Sequence, residues 1–224
     1  MQIMQATIIN FGWNVRTHIA ATELAIKDSK VLNKTEKRML SRFSQMPDFL
    51  KEELQDMNSA HFYDVLNEDP SFGIRNDLKN NALSKFLEHT RKAFSSTKRE
   101  DFIRAIGFAV HYLQDASTPP HTEHGNYLHK LYRLPMHILF EKGKKIGTSN
   151  RLEVLNRNYT PEDIPFSTLK SLFHNTALFT VQRENKVNYN NIKKWFEIQQ
   201  RCYNRTVNVS KAYLSHMLQY IPKK

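Results

Sequence analysis

Between Thr97 and Leu113, the apolar residues Phe102, Ile103, Ile106, Ala109, Val110 and Leu113 recur at the spacing of an α-helix. A stripe this apolar must be covered by other elements, and that requirement limits the fold more than any other feature of the chain. Thr97 and Glu100 stand in the order of a capping box and predict where the helix opens. Only six glycines occur in 224 residues, and the alternation that marks strands is scarce. The covering elements are therefore read as helices too.

Helical spacing also runs from His18 to Lys27, from Thr35 to Phe49, and from Asp77 to Phe94, where Leu83, Phe86, Leu87 and Thr90 share a face. Pro119, Pro120 and Gly125 predict a loop over 116–126, and Pro135 suits the first turn of a helix reaching about Lys144. A basic surface loop is expected over 143–158, followed by helices near 167–183 and 190–220. The expectation is an all-α fold, a single compact multi-helix bundle of about seven helices with function carried on its long loops. No repeat or linker divides the chain.

The net charge is +11, and residues 151–224 hold twelve Lys/Arg against five Asp/Glu. Such a surface suits nucleic acid, an anionic membrane surface or a phosphorylated substrate, or it is simply a solvated face. Cys202 is the only cysteine, so no intrachain disulfide forms. No apolar run approaches the roughly 20 residues of a membrane span. Residues 1–12 are mildly apolar but lack a basic start, and read as an N-terminal extension or a signal-peptide remnant.

The chemistry-bearing residues cluster. His111 and Asp115 are four apart on the apolar helix, so both project from one face. His137 and Glu141 repeat the spacing after Pro135, and between the pairs His121 follows Pro119-Pro120. One such pair is usually a surface ion pair. Two pairs flanking a Pro-Pro-His loop favour a metal centre, because a metal needs several donors in rigid register. Imidazole and carboxylate donors without thiolates suit zinc in a catalytic site with open positions. Gly107, one turn before His111, leaves room for another group to approach closely.

The pattern His111-x-x-x-Asp115, Pro120-His121, His137-x-x-x-Glu141 resembles the zinc-binding signature of bacterial phospholipase C, which related zinc nucleases share. His61-Phe-Tyr-Asp64, the upstream Asp48, and Trp13 followed by His18 extend the resemblance over residues 13 to about 145. The resemblance implies a catalytic domain over 13–222 and up to three zinc ions in a buried cleft. Asp48, His61, His111 and Asp115 would hold one zinc. Asp115 would bridge to a second, completed by His18 and the amino and carbonyl groups of Trp13. His121, His137 and Glu141 would hold the third. Asp48 would be a ligand, a base orienting the metal-bound hydroxide that attacks phosphorus, or both. In the family the tryptophan is the mature N-terminus, whereas twelve residues precede Trp13 here. The second site therefore depends on processing.

The resemblance implies a phospholipase C that cleaves phospholipid to diacylglycerol and a phosphorylated headgroup, in a secreted or periplasmic setting. Arg16 stands where such enzymes carry an acidic residue for choline, which favours an anionic headgroup or another phosphodiester. One alternative is a zinc nuclease acting on single-stranded nucleic acid, favoured by the charge and the aromatic residues. Another is an inactive metal-stabilised binding domain. The sequence leaves the oligomeric state open.

Overall fold

A computed structural model of the protein describes residues 15–49, 61, 63, 81–122, 151–184 and 192–223. Among them are seven α-helices of seven or more residues, and no strand. They are α1 (Val15–Ala25), α2 (Lys34–Phe43), α3 (Ala82–Ser95), α4 (Arg99–Asp115), α6 (Arg151–Arg157), α7 (Leu169–Glu184) and α8 (Ile192–Met217). A single helical turn, α5 (Pro119–Thr122), follows α4. The all-α expectation holds. No helix among the described residues is long and apolar enough to cross a membrane.

The apolar stripe of α4 makes it the central helix. From Ala105 to Asp115 every residue is buried, on all faces and not on the stripe alone. A helix covered all round lies inside a bundle. Here α1, α2, α3 and α8 surround it. Ile106, Ala109, Val110 and Leu113 join Leu40 of α2, Phe86 of α3, Phe173 of α7 and Tyr213 of α8 in the main core. The C-terminal apolar stripe behaves as core too, with Tyr203, Leu214, Met217 and Leu218 buried. A smaller cluster joins Ala21, Leu155, Ile198, Cys202, Tyr203 and Val207.

Several local expectations are corrected. No side chain caps α4; Lys98 is its N-cap residue in extended backbone, and Thr97 and Glu100 form no box. A tertiary clamp fixes that end instead. Arg99 meets Glu36 of α2 through Nε at 2.5 Å, the Val31 carbonyl at 2.8 Å and the Pro222 carbonyl at 3.0 Å. The run read from Thr35 to Phe49 is one helix only to Phe43, because Pro47 cannot extend it and a 3-10 turn takes Met46–Asp48. Asn33 and Glu36 form the true capping box of α2. The expected loop 116–126 contains the helical turn α5, and the expected basic loop 143–158 includes the helix α6. Leu152 and Leu155 carry α6 onto the smaller cluster, a period-of-three contact that the surrounding basic residues obscured. The helix predicted from Pro135 to about Lys144 lies outside the described residues.

Candidate metal centre

Asp115 is the last residue of α4, and it is fully buried. A carboxylate there faces two penalties, burial and the negative end of the helix dipole. Its ion-pair partners among the described residues are imidazoles. His61 Nδ1 lies 2.8 Å and His111 Nε2 3.2 Å from Oδ2, while His18 Nε2 lies 3.5 Å from Oδ1. His121 Nδ1 is 3.5 Å from Oδ2. Asp48, buried in the 3-10 turn, brings Oδ1 to 3.6 Å from His111 Nε2.

Five elements deliver these groups. His18 comes from α1, packed against α2 and α8. Asp48 arrives because α2 stops at Phe43 and the chain turns back at Pro47. His111 and Asp115 share α4, in the register their spacing predicts. His121 sits on α5, which begins as soon as the α4 C-terminus is closed: Thr118 donates both its amide (2.9 Å) and its hydroxyl (2.8 Å) to the Asp115 carbonyl. His61 is locked to α5 by two bonds. His121 Nδ1 meets the His61 carbonyl at 2.7 Å, and the Tyr63 amide donates to the His121 carbonyl at 2.9 Å. Tyr63 is itself held by His174 of α7, at 3.1 Å.

Hydrogen bonds through Nδ1 orient three of the rings. His111 Nδ1 donates to the Ser44 carbonyl at 2.9 Å, His121 Nδ1 to the His61 carbonyl, and His18 Nδ1 to Gln114 Oε1 at 2.7 Å. A neutral imidazole that donates through Nδ1 keeps a lone pair on Nε2. Outer acceptors of this kind orient metal-binding histidines. Gly107 makes the Ser44 contact reachable, because a Cβ there would stand 2.5 Å from Phe43 Cβ. The close approach expected at this glycine is that of α2.

The charges follow from burial. His18 falls to about 3, mainly because it is buried and secondly because His111 is near. Burial and the neighbouring His61 likewise lower His121 to about 4, against the pull of Asp115. Burial also works against a charged His111, but Asp115 and Asp48 outweigh it and raise it to about 9. Burial pushes the Asp48 carboxyl up, opposed by His111 and His61. Burial would push Asp115 up as well, yet His121 and His111 hold it well below the usual carboxylate range.

His18 Nε2, Asp48 Oδ2 and Asp115 Oδ1 are buried and have no hydrogen-bond partner among the described residues. Donor atoms of His18, Asp48 and His111 lie within 4.8 Å of one another, and so do those of His61, His111 and Asp115. Orphaned nitrogen and oxygen donors around a buried carboxylate fit divalent zinc, which takes imidazole and carboxylate ligands. Six of the nine ligands expected from sequence are thus brought together: His18, Asp48, His61, His111, Asp115 and His121. Trp13, His137 and Glu141 lie outside the described residues, as does Asp64. Sequence reasoning missed Ser44 and Gln114. Nothing local marks the Ser44 carbonyl, whereas a glutamine inside so apolar a helix was a visible anomaly.

No protein-family model matches the chain, and no curated protein matches it in sequence. Its fold is that of clostridial alpha-toxins. The alpha-toxin from Clostridium absonum aligns with a TM-score of 0.59 at 14% identity, over 93% of this chain and 65% of the toxin. The Clostridium perfringens alpha-toxin from avian strain SWCP aligns with a TM-score of 0.59 at 17% identity, over 92% of this chain and 62% of the toxin. The chain therefore spans less than two thirds of either toxin. At this identity the likeness is one of fold.

Proposed function

We propose that this protein is a zinc-dependent phosphodiester hydrolase of the phospholipase C type. One observation carries the proposal: a fully buried carboxylate at a helix C-terminus is ringed by four imidazoles, and His18 Nε2, Asp48 Oδ2 and Asp115 Oδ1 lie buried there without a hydrogen-bond partner among the described residues. Unpartnered donor atoms gathered around a buried negative charge favour a bound cation. The fold shared with clostridial alpha-toxins supports the same reading.

His61, His111, Asp115 and Asp48 would hold one ion. His18 with Asp115 would hold a second together with Trp13, and His121 would contribute to a third with His137 and Glu141. Zinc in such a site lowers the pKa of bound water towards 7 and neutralises charge on phosphoryl oxygens. The protein's own part is orientation and burial. Asp115 offers Oδ1 towards His18 and Oδ2 towards His61 and His111, so one carboxylate can serve two ions. Asp48, whose carboxyl burial pushes up, stands beside His111 Nε2 at 3.6 Å, where it would orient a nucleophile or hold an ion. Phe49 follows it and is 44% exposed, an apolar contact at the edge of the site. Arg16 is exposed one residue pair before His18 and favours an anionic headgroup over choline. The substrate is then an anionic phospholipid met outside the cytoplasm, with the basic surface aiding contact with the bilayer.

Parallel assays decide the substrate. Zinc-loaded protein is given vesicles of anionic phospholipid, vesicles of phosphatidylcholine, and single-stranded DNA. Release of diacylglycerol from the anionic vesicles, abolished by chelator and by His111→Ala, is the expected result. Rapid strand cleavage with inert vesicles would assign the chain to the zinc nucleases. No hydrolysis of any phosphodiester at full zinc loading would leave a metal-stabilised binding domain.

A further inference from the structure

Gln114 is fully buried at the point where α4 meets α1 and α8, and its amide makes three hydrogen bonds. Oε1 lies 2.7 Å from His18 Nδ1, and Nε2 lies 2.9 Å from Thr22 Oγ1 and 3.1 Å from Ser210 Oγ. The Ser210 hydroxyl in turn donates to the Thr206 carbonyl at 2.7 Å. We propose that Gln114 is a positioning residue that holds His18 in its Nδ1–H tautomer and so presents the Nε2 lone pair to Asp115. The purpose assigned to that lone pair, metal binding, rests on the function proposed above; the tautomer does not.

The argument is one of donor accounting. Ser210 has a single hydroxyl hydrogen, and the Thr206 carbonyl takes it. Ser210 can therefore only accept from Gln114, which makes the atom facing it the amide nitrogen. A flipped amide would set a carbonyl oxygen against an oxygen with no hydrogen to give. The atom facing His18 is then the carbonyl oxygen, which only accepts, so His18 Nδ1 must carry the hydrogen. The neutral ring is left with a lone pair on Nε2, buried, without a hydrogen-bond partner, and 3.5 Å from Asp115 Oδ1.

His18 differs from its neighbours in this respect. His111 and His121 are oriented by backbone carbonyls, which no substitution removes. His18 alone of the three depends on a side chain. Thr22 lies one turn after His18 on α1, so the same amide grips α1 at two points and fixes the imidazole's position as well as its tautomer.

The test reads the tautomer and the zinc separately, on the full chain. Imidazole nitrogen-15 spectra at neutral pH, with and without zinc, should show His18 protonated at Nδ1 in the wild type. Gln114→Met, close in volume but with no acceptor, should populate the Nε2–H form in zinc-free protein. It should also weaken one class of zinc site by roughly 10- to 100-fold in chelator competition, leaving the other zinc sites unchanged. If Gln114→Met does not fold, Ser210→Ala gives the same reading, since it frees the amide to turn and should mix the two tautomers. Unchanged His18 nitrogen shifts in Gln114→Met, or in Ser210→Ala where that variant stands in, would overturn the inference. Wild-type protein that binds no zinc would defeat the proposed function, while the tautomer spectra would still decide the role of Gln114.

Discussion

Gly107→Ala should harm this protein at a helical position where alanine ordinarily helps. The new Cβ would stand 2.5 Å from Phe43 Cβ and 3.3 Å from the Leu40 carbonyl oxygen. Carbon atoms in contact settle at about 3.5–4.0 Å, so α2 must retreat from α4 by roughly 1 Å. Overpacking of this kind costs about 1–3 kcal/mol, against which alanine regains about 1 kcal/mol of helix propensity. The expected net loss is up to about 2 kcal/mol, or a Tm lower by up to about 4–8 °C in a chain of this size. The retreat also reaches the site. Ser44 follows Phe43 directly, and its carbonyl holds His111 Nδ1 at 2.9 Å. A displacement of about 1 Å stretches that bond beyond hydrogen-bond range, and loss of such an outer contact lowers zinc affinity about 10- to 100-fold. Differential scanning calorimetry and chelator competition read the two effects. A variant with raised Tm and unaltered zinc affinity would refute the reasoning, since Gly107 would then be an ordinary helical glycine.

Chelation should lower Tm reversibly, because an ion bound only by the folded state adds about 2.7 kcal/mol per site at a hundredfold excess over Kd. Calorimetry before and after zinc is restored checks this. Asp115→Asn keeps the shape but removes the shared charge, and should cost at least one bound zinc, counted by elemental analysis, together with most hydrolysis. In zinc-free protein the histidines set the pH profile. His18 and His121 stay neutral down to about 3 and about 4, so each withdraws stability as pH falls through the unfolded value of 6.5. His111, raised to about 9, contributes stability below 6.5 and loses it as pH rises through 9. Between pH 6 and 4 the unfolded chain then binds three protons at these histidines and the folded chain one. Stability should peak near pH 6.5 and fall on the acid side, as urea titrations across pH would measure.

The fold was legible where apolar spacing was strong. The stripe on α4 and the run after His18 gave helices in the right places, and the four-residue spacing of His111 and Asp115 gave their shared face. What escaped was set by distant partners. Arg99, and not Thr97, fixes the start of α4, because Glu36, Val31 and Pro222 come to meet it from elsewhere in the chain. The helix α6 is only seven residues long, so its two inward leucines carried too little periodicity to read. Candidate ligands were visible as residue types at fixed spacings. The atoms that orient them were not, since the Ser44 and His61 carbonyls carry no side-chain signal.

The burial of α4 on all faces has a consequence for how the protein opens. Its residues from Ala105 to Asp115 are enclosed by four helices, and the same helix ends in the metal centre. Its backbone amides therefore have no local route to solvent and exchange hydrogen only when the bundle unfolds as a whole. An ion held at Asp115 slows that exchange far from itself, at Ile106 as much as at Leu113. The helix thus makes occupancy of the site readable, residue by residue, from the slowest amides in the chain.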